Sequence, residues 1–387
     1  MSDEKALLAE GLRPEAQPEG SGAIVPLLRR DLFRELTRIV GVIAVALLIG
    51  FAITLVVSEE PLTAFSSFLI GPLSRINRFG NWIEESVTLI FTGLAVALVF
   101  QTRQFSIGAE GQLYLGALAA GVVAIHLRAP SPLHPVLAIV AAALAGFLWG
   151  AVPGYLKAQL GANEIVSTLM LNAIAIQIYN YFLNYWLKDP KAGYTVSYDF
   201  LTSAILPPII SRTRINVGLL IALAAAVAVY YLLYRTTLGY ELRMTGFNIK
   251  FARYGGIDTK RAIILSMAIS GLVAGIAGAV LSMGIHQRLI LNISSGYGFE
   301  GIVVSLLARN NPVAALPAAL FYGYLRTGAD VMERSSDVTR EVVAVIQAMI
   351  LLLVTAEAFT AFPIRQRASS RAQPSGQEER GGICLKC

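Results

Sequence analysis

Residues 245–257, TGFNIKFARYGGI, lie between two long apolar runs and divide the chain around them. Asn248 is suited to cap a helix N-terminus, and Ile249 to Tyr254 are long enough for about two helical turns. Gly255 and Gly256 then predict a left-handed C-cap that ends the helix. The sequence therefore predicts a short, water-facing helix here.

Aromatic and basic side chains share this short helix. Phe247, Phe251 and Tyr254 follow one another at helical spacing, which predicts one aromatic face. Lys250 and Arg253 lie beside that face. A helix of this kind either inserts into a groove on a partner protein or rests on lipid headgroups, and the residues alone leave both open.

The composition is that of an integral membrane protein. The 387 residues are 55% hydrophobic and 14% charged, whereas soluble proteins average about 25% charged. The net charge of +6 comes from basic residues beside apolar runs, where they set orientation, so nucleic acid is not expected as a partner. Two cysteines, Cys384 and Cys387, are too few for a zinc site of about four ligands.

Apolar runs predict about ten membrane-spanning helices. Arginines ahead of the first run place the N-terminus in the cytoplasm, so both termini and the segment 235–261 are expected there. Residues 58–81 are too broken to span and are expected outside, partly interfacial. The run at 300–308 and its successor are short enough to be re-entrant. The predicted runs are 39–57, 82–100, 109–127, 134–156, 165–186, 215–234, 262–284, 300–308, 313–327 and 341–360.

Three regions follow from this pattern. They are a disordered cytoplasmic tail at 1–28, a membrane domain at 29–362 with its cytoplasmic loop at 235–261, and a cytoplasmic C-terminal tail at 363–387.

Two spans open with the same four-residue pattern, Gly-x-Glu-Gly. It begins at Gly108 in the first and at Gly298 in the second. The predicted directions of these spans are opposite, which indicates two related, inverted halves with broken helices near the membrane midplane. A chance match in a chain rich in glycine and alanine is the alternative.

Glu110, Glu164 and Glu300 are candidate intramembrane carboxylates, and such groups are usually functional. They either relay protons or cap helix N-termini. Because all three lie at span ends, with no basic residue mid-span as a partner, capping is favoured. Asn163 and Asn172 are compatible with a gate or with satisfied core amides.

The span after the 245–257 segment carries glycines at close-packing spacing. Gly271 and Gly275 form a GxxxG pattern, and Ala274 and Gly278 repeat the spacing. Such a face lets two helix backbones approach closely. Packing within the chain is favoured over a face for a separate chain.

The chain lacks the phosphate loop GxxxxGK[ST] and the hydrolase patterns HExxH and GxSxG. It is therefore not expected to be an enzyme or to hold a cofactor or metal. A multi-span chain with a docking helix instead suits a subunit driven by a separate ATPase, which would bind ATP and Mg²⁺.

Four stretches resemble a known family: FSIGAEGQLYLGALAA (105–120), GANEIVSTLMLNAIA (161–175), TGFNIKFARYGGI (245–257) and GYGFEGIVVSLLARNNP (296–312). Over about 35–362 the chain is similar to permease subunits of bacterial ABC importers for nucleosides and simple sugars, the inner membrane components of binding-protein-dependent transport systems.

This resemblance implies an all-α integral membrane fold in the bacterial inner membrane. It implies as partners cytoplasmic ABC ATPase subunits, a second permease that is the same or a homologous chain, membrane lipids, and a periplasmic or lipid-anchored solute-binding protein. It also makes the 245–257 segment the coupling helix that sits in a cleft of the ATPase. The coupling residues are Gly246, Phe247, Asn248, Lys250, Phe251, Arg253, Tyr254, Gly255 and Gly256.

The expected solute is neutral, because the predicted path carries no mid-span Lys or Arg. The resemblance favours a nucleoside, with riboflavin, ribose or another simple sugar as alternatives. A secondary transporter coupled to ions at Glu110 or Glu300 is a further alternative. The predicted path residues are Phe105, Gly108, Glu110, Gly111, Gln112, Asn163, Glu164, Asn172, Gly298, Phe299, Glu300 and Gly301; nearby aromatics at Tyr114, Trp149, Tyr179 and Tyr297 suit either base stacking or packing.

Overall fold

The computed structural model describes residues 41, 44–210 and 213–353, and in these ranges the chain forms helices and no named strand. Both predicted tails and the cysteine pair lie outside the described residues. The helices are α1 (Ala44–Val57), α2 (Pro61–Ile70), α3 (Ile76–Phe100), α4 (Ala109–His126), α5 (Leu133–Leu160), α6 (Glu164–Tyr185), α7 (Gly218–Arg235), α8 (Thr237–Phe247), α9 (Ile249–Tyr254), α10 (Thr259–Val280), α11 (Tyr297–Leu307), α12 (Pro312–Ser335) and α13 (340–353).

Each predicted apolar run falls on a helix within the described ranges. In those ranges, five helices are long and apolar enough to cross a membrane: α3, α5, α6, α7 and α10 with its π-helical continuation to His286. Helix α11 has 11 residues, so it is about 16 Å long and reaches across about half of the 30 Å hydrocarbon layer. The short helix expected at 300–308 is therefore confirmed. The prediction that its successor is also short is wrong, because α12 has 24 residues.

Two helices extend furthest beyond the predicted runs. Helix α3 begins at Ile76 rather than at 82, and α12 continues to Ser335 rather than stopping at 327. Polar groups in these extensions have partners inside the protein; for example, the Ser335 hydroxyl donates to the Val331 carbonyl at 2.6 Å. The 58–81 segment, expected to be broken, contains α2, whose Phe68 is buried.

Glycines bring α5 and α10 into backbone contact. A Cβ added at Gly271 would overlap the Gly146 carbonyl, and one added at Gly146 would overlap the Gly271 carbonyl. One turn along, a Cβ at Gly275 would overlap the Ala142 carbonyl, and one at Gly150 would overlap the Met267 carbonyl. The GxxxG pattern thus serves packing within the chain, as predicted.

Helix α10 lies at the centre of the fold. Besides α5, it contacts α4, where a Cβ at Gly278 would overlap the Leu113 carbonyl. In the most apolar stretch of each helix, 72% of α10 and 83% of α3 is buried inside the protein. The corresponding share is 22% for α5 and α6 and 28% for α7. Helices α3 and α10 therefore form the core, and α5, α6 and α7 present broad faces to their surroundings.

The long connection between α6 and α7 packs on the segment that leads into α11. The Ser197 amide donates to the Leu289 carbonyl at 2.9 Å, and the Ser197 hydroxyl accepts from the Leu289 amide at 2.8 Å. The Phe200 amide donates to the Gln287 carbonyl at 3.0 Å. These bonds hold the irregular chain before α11 in place.

The loop between α12 and α13 is bonded to the turn between α1 and α2 through Asp337. Its carboxylate accepts from the Ser58 hydroxyl at 2.6 Å and from the Glu59 amide at 2.7 Å. These bonds lower the pKa of Asp337 below its ordinary value. Their contribution to stability is therefore present above the unfolded pKa and is lost as the pH falls through the lowered one.

The substitution Gly271→Val is expected to force α5 and α10 apart. Overpacking of this kind costs about 1–3 kcal/mol, which we expect to lower the Tm of the purified chain by about 2–10 °C. The measurement is thermal unfolding in mild detergent. Gly193→Val is the matched control, because nothing lies within 4 Å of a Cβ at Gly193. Equal Tm values for the two variants would contradict the backbone contact.

Candidate functional site

The two Gly-x-Glu-Gly patterns meet in the structure. The Gly298 amide, in the first turn of α11, donates to Glu110 Oε2, in the first turn of α4, at 2.7 Å. Glu110 is buried, and a Cβ at Gly298 would overlap the Glu110 backbone. We call this contact the junction; it joins two helix starts that are 188 residues apart in sequence.

The junction explains the buried position of Glu110. A carboxylate oxygen satisfies one of the free amides at a helix N-terminus and interacts favourably with the helix dipole. The sequence predicts that Glu110 caps a helix N-terminus. In the structure Glu110 belongs to the first turn of α4, and its side chain accepts from an amide in the first turn of α11. The first half of the chain thereby supplies the cap for a helix of the second half.

Asn172 of α6 holds the start of α4. Its Oδ1 accepts from the Gly111 amide at 2.9 Å, and its Nδ2 donates to the Ile107 carbonyl at 2.8 Å. Gly111 is required here, because a Cβ would lie 2.8 Å from Asn172 Oδ1. Of the two alternatives for this residue, Asn172 has the contacts of a satisfied core amide.

The structure leaves Asn163 and Glu164 in a separate group at the start of α6. Asn163 caps its own helix, accepting from the Ile165 and Val166 amides at 2.9 Å and 3.3 Å. Glu164 pairs with Lys157 at 2.7 Å. These contacts are those of a helix terminus.

The remaining predicted path residues divide between packing and exposure. Gln112 and Gly301 are buried, and a Cβ at Gly301 would lie 2.6 Å from Thr92 Cβ. Phe105 and Phe299 are exposed, and Phe105 stacks on Phe100 with ring centroids 5.0 Å apart. Buried Tyr114 and Tyr179 pack edge to face, as expected for packing rather than base stacking.

A second polar cluster surrounds Arg326 of α12. Its guanidinium pairs with Glu300 of α11 and lies 3.6 Å from Glu85 of α3. It also lies over the Tyr297 ring, 4.1 Å from the centroid. This corrects the expectation that Glu300 has no basic residue as a partner. Glu300 is consequently part of an ion pair and does not mirror the capping role of Glu110.

Sequence reasoning missed this cluster because the predicted runs were too short. The run ending at 327 placed Arg326 at a span end, and the run starting at 82 did the same for Glu85. In the structure Arg326 lies 14 residues into α12 (326 − 312), and Glu85 lies nine residues into α3 (85 − 76). The available signal was the helical spacing of Tyr322, Arg326 and Asp330.

The 245–257 segment has the predicted N-cap. Asn248 Oδ1 accepts from the Lys250 amide at 3.0 Å and from the Phe251 amide at 3.1 Å, and α9 spans Ile249–Tyr254. Of the two glycines that follow, Gly256 has a left-handed φ of 81°, whereas Gly255 has a φ of −76°. The predicted left-handed C-cap therefore rests on Gly256 alone.

The aromatic side chains of this segment are exposed, but they come from two helices. Phe247 ends α8, whereas Phe251 and Tyr254 belong to α9, so the helical spacing from which one aromatic face is predicted is interrupted at Asn248. The break occurs because Asn248 adopts an extended backbone to cap α9. The exposed fractions are 76% for Phe247, 60% for Phe251 and 92% for Tyr254.

The end of α8 also contacts the segment before α4. A Cβ at Gly246 would overlap the Gln101 carbonyl. The neighbouring Thr102 hydroxyl lies 3.2 Å from the Ser266 hydroxyl of α10. The 245–257 segment is thereby in contact with the chain that leads to Gly108 and, through α10, with the centre of the fold.

Comparison with known proteins identifies the family. Residues 79–355 match the family described as branched-chain amino acid transport system, permease component. The chain belongs to this family. The permease is thus the membrane component of a transport system, as predicted, and a multi-pass protein of the inner membrane.

Individual relatives align over nearly their whole length. The guanosine ABC transporter permease NupP of Bacillus subtilis (strain 168) is 37% identical over 317 residues, which are 80% of this chain and 91% of the relative. The glucose ABC transporter permease TsgB13 of Haloferax volcanii is 30% identical over 87% of this chain and 92% of its own length. The nucleoside ABC transporter permease NupB of Lactococcus lactis subsp. cremoris (strain MG1363) is 30% identical over 79% and 87%.

The substitution Arg326→Met is expected to destabilise the permease, because it leaves Glu85 and Glu300 unpaired inside the protein. Breaking a buried pair costs about 3–5 kcal/mol, so we expect a large fall in the Tm of the detergent-purified permease. Adding Glu85→Gln and Glu300→Gln to this variant should restore much of the loss.

Arg288→Met is the matched control for this prediction. Arg288 pairs with Asp199 at 3.0 Å, but the Asp199 side chain is 73% exposed, so the loss should be at most about 1 kcal/mol. A Tm for Arg326→Met equal to that of the control would contradict the buried ion-pair cluster.

Proposed function

We propose that the permease forms the membrane path of an ATP-driven importer for a neutral solute, a nucleoside. The observation that carries this proposal is the alignment with the guanosine permease, at 37% identity over 80% of this chain. The nucleoside permease from Lactococcus supports the same substrate class. A sugar is the second candidate, because the glucose permease is 30% identical over 87% of the chain.

The structure gives less support to ion-coupled secondary transport. That alternative needs Glu110 or Glu300 to bind and release an ion. Glu110 is engaged by the Gly298 amide, and Glu300 is paired with Arg326. Both carboxylates therefore have protein partners.

The proposed complex contains two cytoplasmic ATPase subunits, a second permease and a solute-binding protein outside the membrane. ATP and Mg²⁺ would bind to the ATPases. Both termini and the 235–261 segment face the cytoplasm in this arrangement, because basic residues concentrate there.

The order of elements supports two inverted halves within about ten spans. The first half runs from α1 through the short helix α2 and the long helix α3 to α4, then α5 and α6. The second half runs from α7 through the short helices α8 and α9 and the long helix α10 to α11, then α12 and α13. In both halves the Gly-x-Glu-Gly pattern opens the helix after the long one. Such symmetry is typical of transporters whose halves move against each other.

The proposed transport step begins at the ATPase. Closure of the ATPase subunits would displace α9 through Phe251 and Tyr254, which project into the cytoplasm. Motion would pass to α10, which starts five residues after Tyr254 (259 − 254), and through Gly246 to Gln101. Both routes lead to the start of α4, where the junction would open and close as access alternates.

Removing the exposed aromatics in Phe251→Ala with Tyr254→Ala is expected to uncouple the transporter. Both side chains are exposed, so the variant should insert normally while solute-stimulated ATPase activity and uptake fall by at least about tenfold. The measurement combines ATPase activity and guanosine uptake in proteoliposomes that contain the complete transporter.

The control is Tyr194→Ala with Tyr198→Ala, because these exposed aromatics lie in the connection between α6 and α7, on the side proposed to face outward. Uptake of guanosine by the unsubstituted transporter tests the substrate, and uptake of glucose instead would favour the sugar alternative. Normal solute-stimulated ATPase activity in the Phe251 and Tyr254 variant would contradict the docking proposal.

A further inference from the structure

Helix α6 has an exposed face that differs from those of the other peripheral helices. The exposed faces of α5 and α7 carry only apolar and small side chains through their middle turns. On α6, Gln177 is exposed between Ile174 and Tyr181. Its amide has no hydrogen-bond partner among the described residues.

The position of Gln177 places it inside the hydrocarbon layer. It lies 13 residues after Glu164 and eight before Tyr185 (177 − 164 and 185 − 177), so about 20 Å and 12 Å of helix separate it from the two ends. Neither end is close enough for the short amide side chain to reach water or headgroups. Polar side chains at such depth face the protein interior or a water-filled cavity.

The surface around this glutamine is an open face of α6. It is formed by Ala173, Ile174, Gln177, Ile178, Tyr181 and Phe182. Tyr181 and Phe182 lie edge to face with centroids 5.8 Å apart. This face therefore offers one amide and flat aromatic surface.

We infer that this face of α6 lines the solute path and that Gln177 is a residue that contacts the solute there. The inference rests on the proposed function and locates its substrate contacts. The predicted path residues Glu110, Gly111, Gln112, Gly298 and Gly301 are buried in the described structure. The solute therefore contacts the exposed side of α6. The buried path residues lie on the other side of the helix and contribute to its packing.

The chemistry of the face selects an uncharged solute with hydrogen-bonding groups and a flat ring. No charged side chain occurs between Glu164 and Lys188, so an ion crossing this face would find no partner. The Gln177 amide can donate and accept hydrogen bonds, and the ring of Tyr181 can stack on a planar group.

The same helix connects this face to the junction. Asn172 holds the start of α4 on the buried side of α6, and Gln177 follows five residues later on the exposed side. A shift of α4 is transmitted to α6 through the two Asn172 hydrogen bonds. The solute face therefore moves when the junction changes.

Cysteine accessibility tests whether water reaches this face of α6. Gln177→Cys is made in a permease carrying Cys384→Ser and Cys387→Ser, and the complete transporter in membrane vesicles is treated with a charged methanethiosulfonate reagent. Because thiolates form in water and not in lipid, Gln177→Cys should react at least about tenfold faster than Leu144→Cys on α5 and Val227→Cys on α7. Reaction should also block guanosine uptake.

Three results would overturn the inference. Gln177→Cys could be labelled no faster than the two lipid-facing controls, or its labelling could leave uptake unchanged. In the third result, Gln177→Cys is not labelled but forms a disulfide rapidly between two permeases. The last result would show that a second copy covers the face. The accessibility contrast needs no solute, so it stands even when the transporter carries neither guanosine nor glucose and the proposed function itself fails.

A second variant tests the role of the amide. Gln177→Leu should lower guanosine uptake by about three- to tenfold, the value of one hydrogen bond, without lowering thermal stability. The control is Leu148→Ala on the exposed face of α5, which should leave uptake unchanged. Full uptake by Gln177→Leu would contradict direct contact with the solute.

Discussion

The rest of the structure depends on the backbone contact between α5 and α10. Helices cannot gain much from apolar burial when lipid surrounds them, so close packing and interhelical hydrogen bonds hold a membrane bundle together. At Gly146 and Gly271 two carbonyl groups occupy space that any side chain would fill. This contact fixes α10 at the centre. Helix α10 in turn follows the 245–257 segment directly and leads at its other end into the irregular chain before α11.

Buried charge in this permease serves to join helices. Arg326 links three helices, since Glu85 belongs to α3, Glu300 to α11 and the arginine itself to α12. Such a cluster gives little net stability, because removing each ion from water costs several kcal/mol. It does fix which helices meet, since a misplaced neighbour would leave a charge unpaired. The cluster therefore specifies the arrangement of α3, α11 and α12.

Much of this fold can be predicted from sequence, because hydropathy and glycine spacing act locally. The apolar runs give the helices, the GxxxG at Gly271 gives a close contact, and Asn248 gives the start of α9. Partners distant in sequence cannot be predicted this way. Nothing in the 313–327 run shows that Arg326 has carboxylates on two other helices, and nothing near Gln177 shows which side of α6 stays uncovered. Three-dimensional packing decides both, so helix limits and site contacts were the weakest predictions.

The hydrogen bond between Glu110 and Gly298 has a consequence for biosynthesis. Its two residues are 188 positions apart, and at about 5–20 residues per second the ribosome needs about 10–40 s to travel between them. Throughout that interval α4 has been synthesised, but the Gly298 amide that donates to Glu110 in the finished protein has not. The nascent chain must keep this carboxylate hydrated or otherwise bonded until α11 emerges. The order of synthesis thus makes α11 the element that completes the first half.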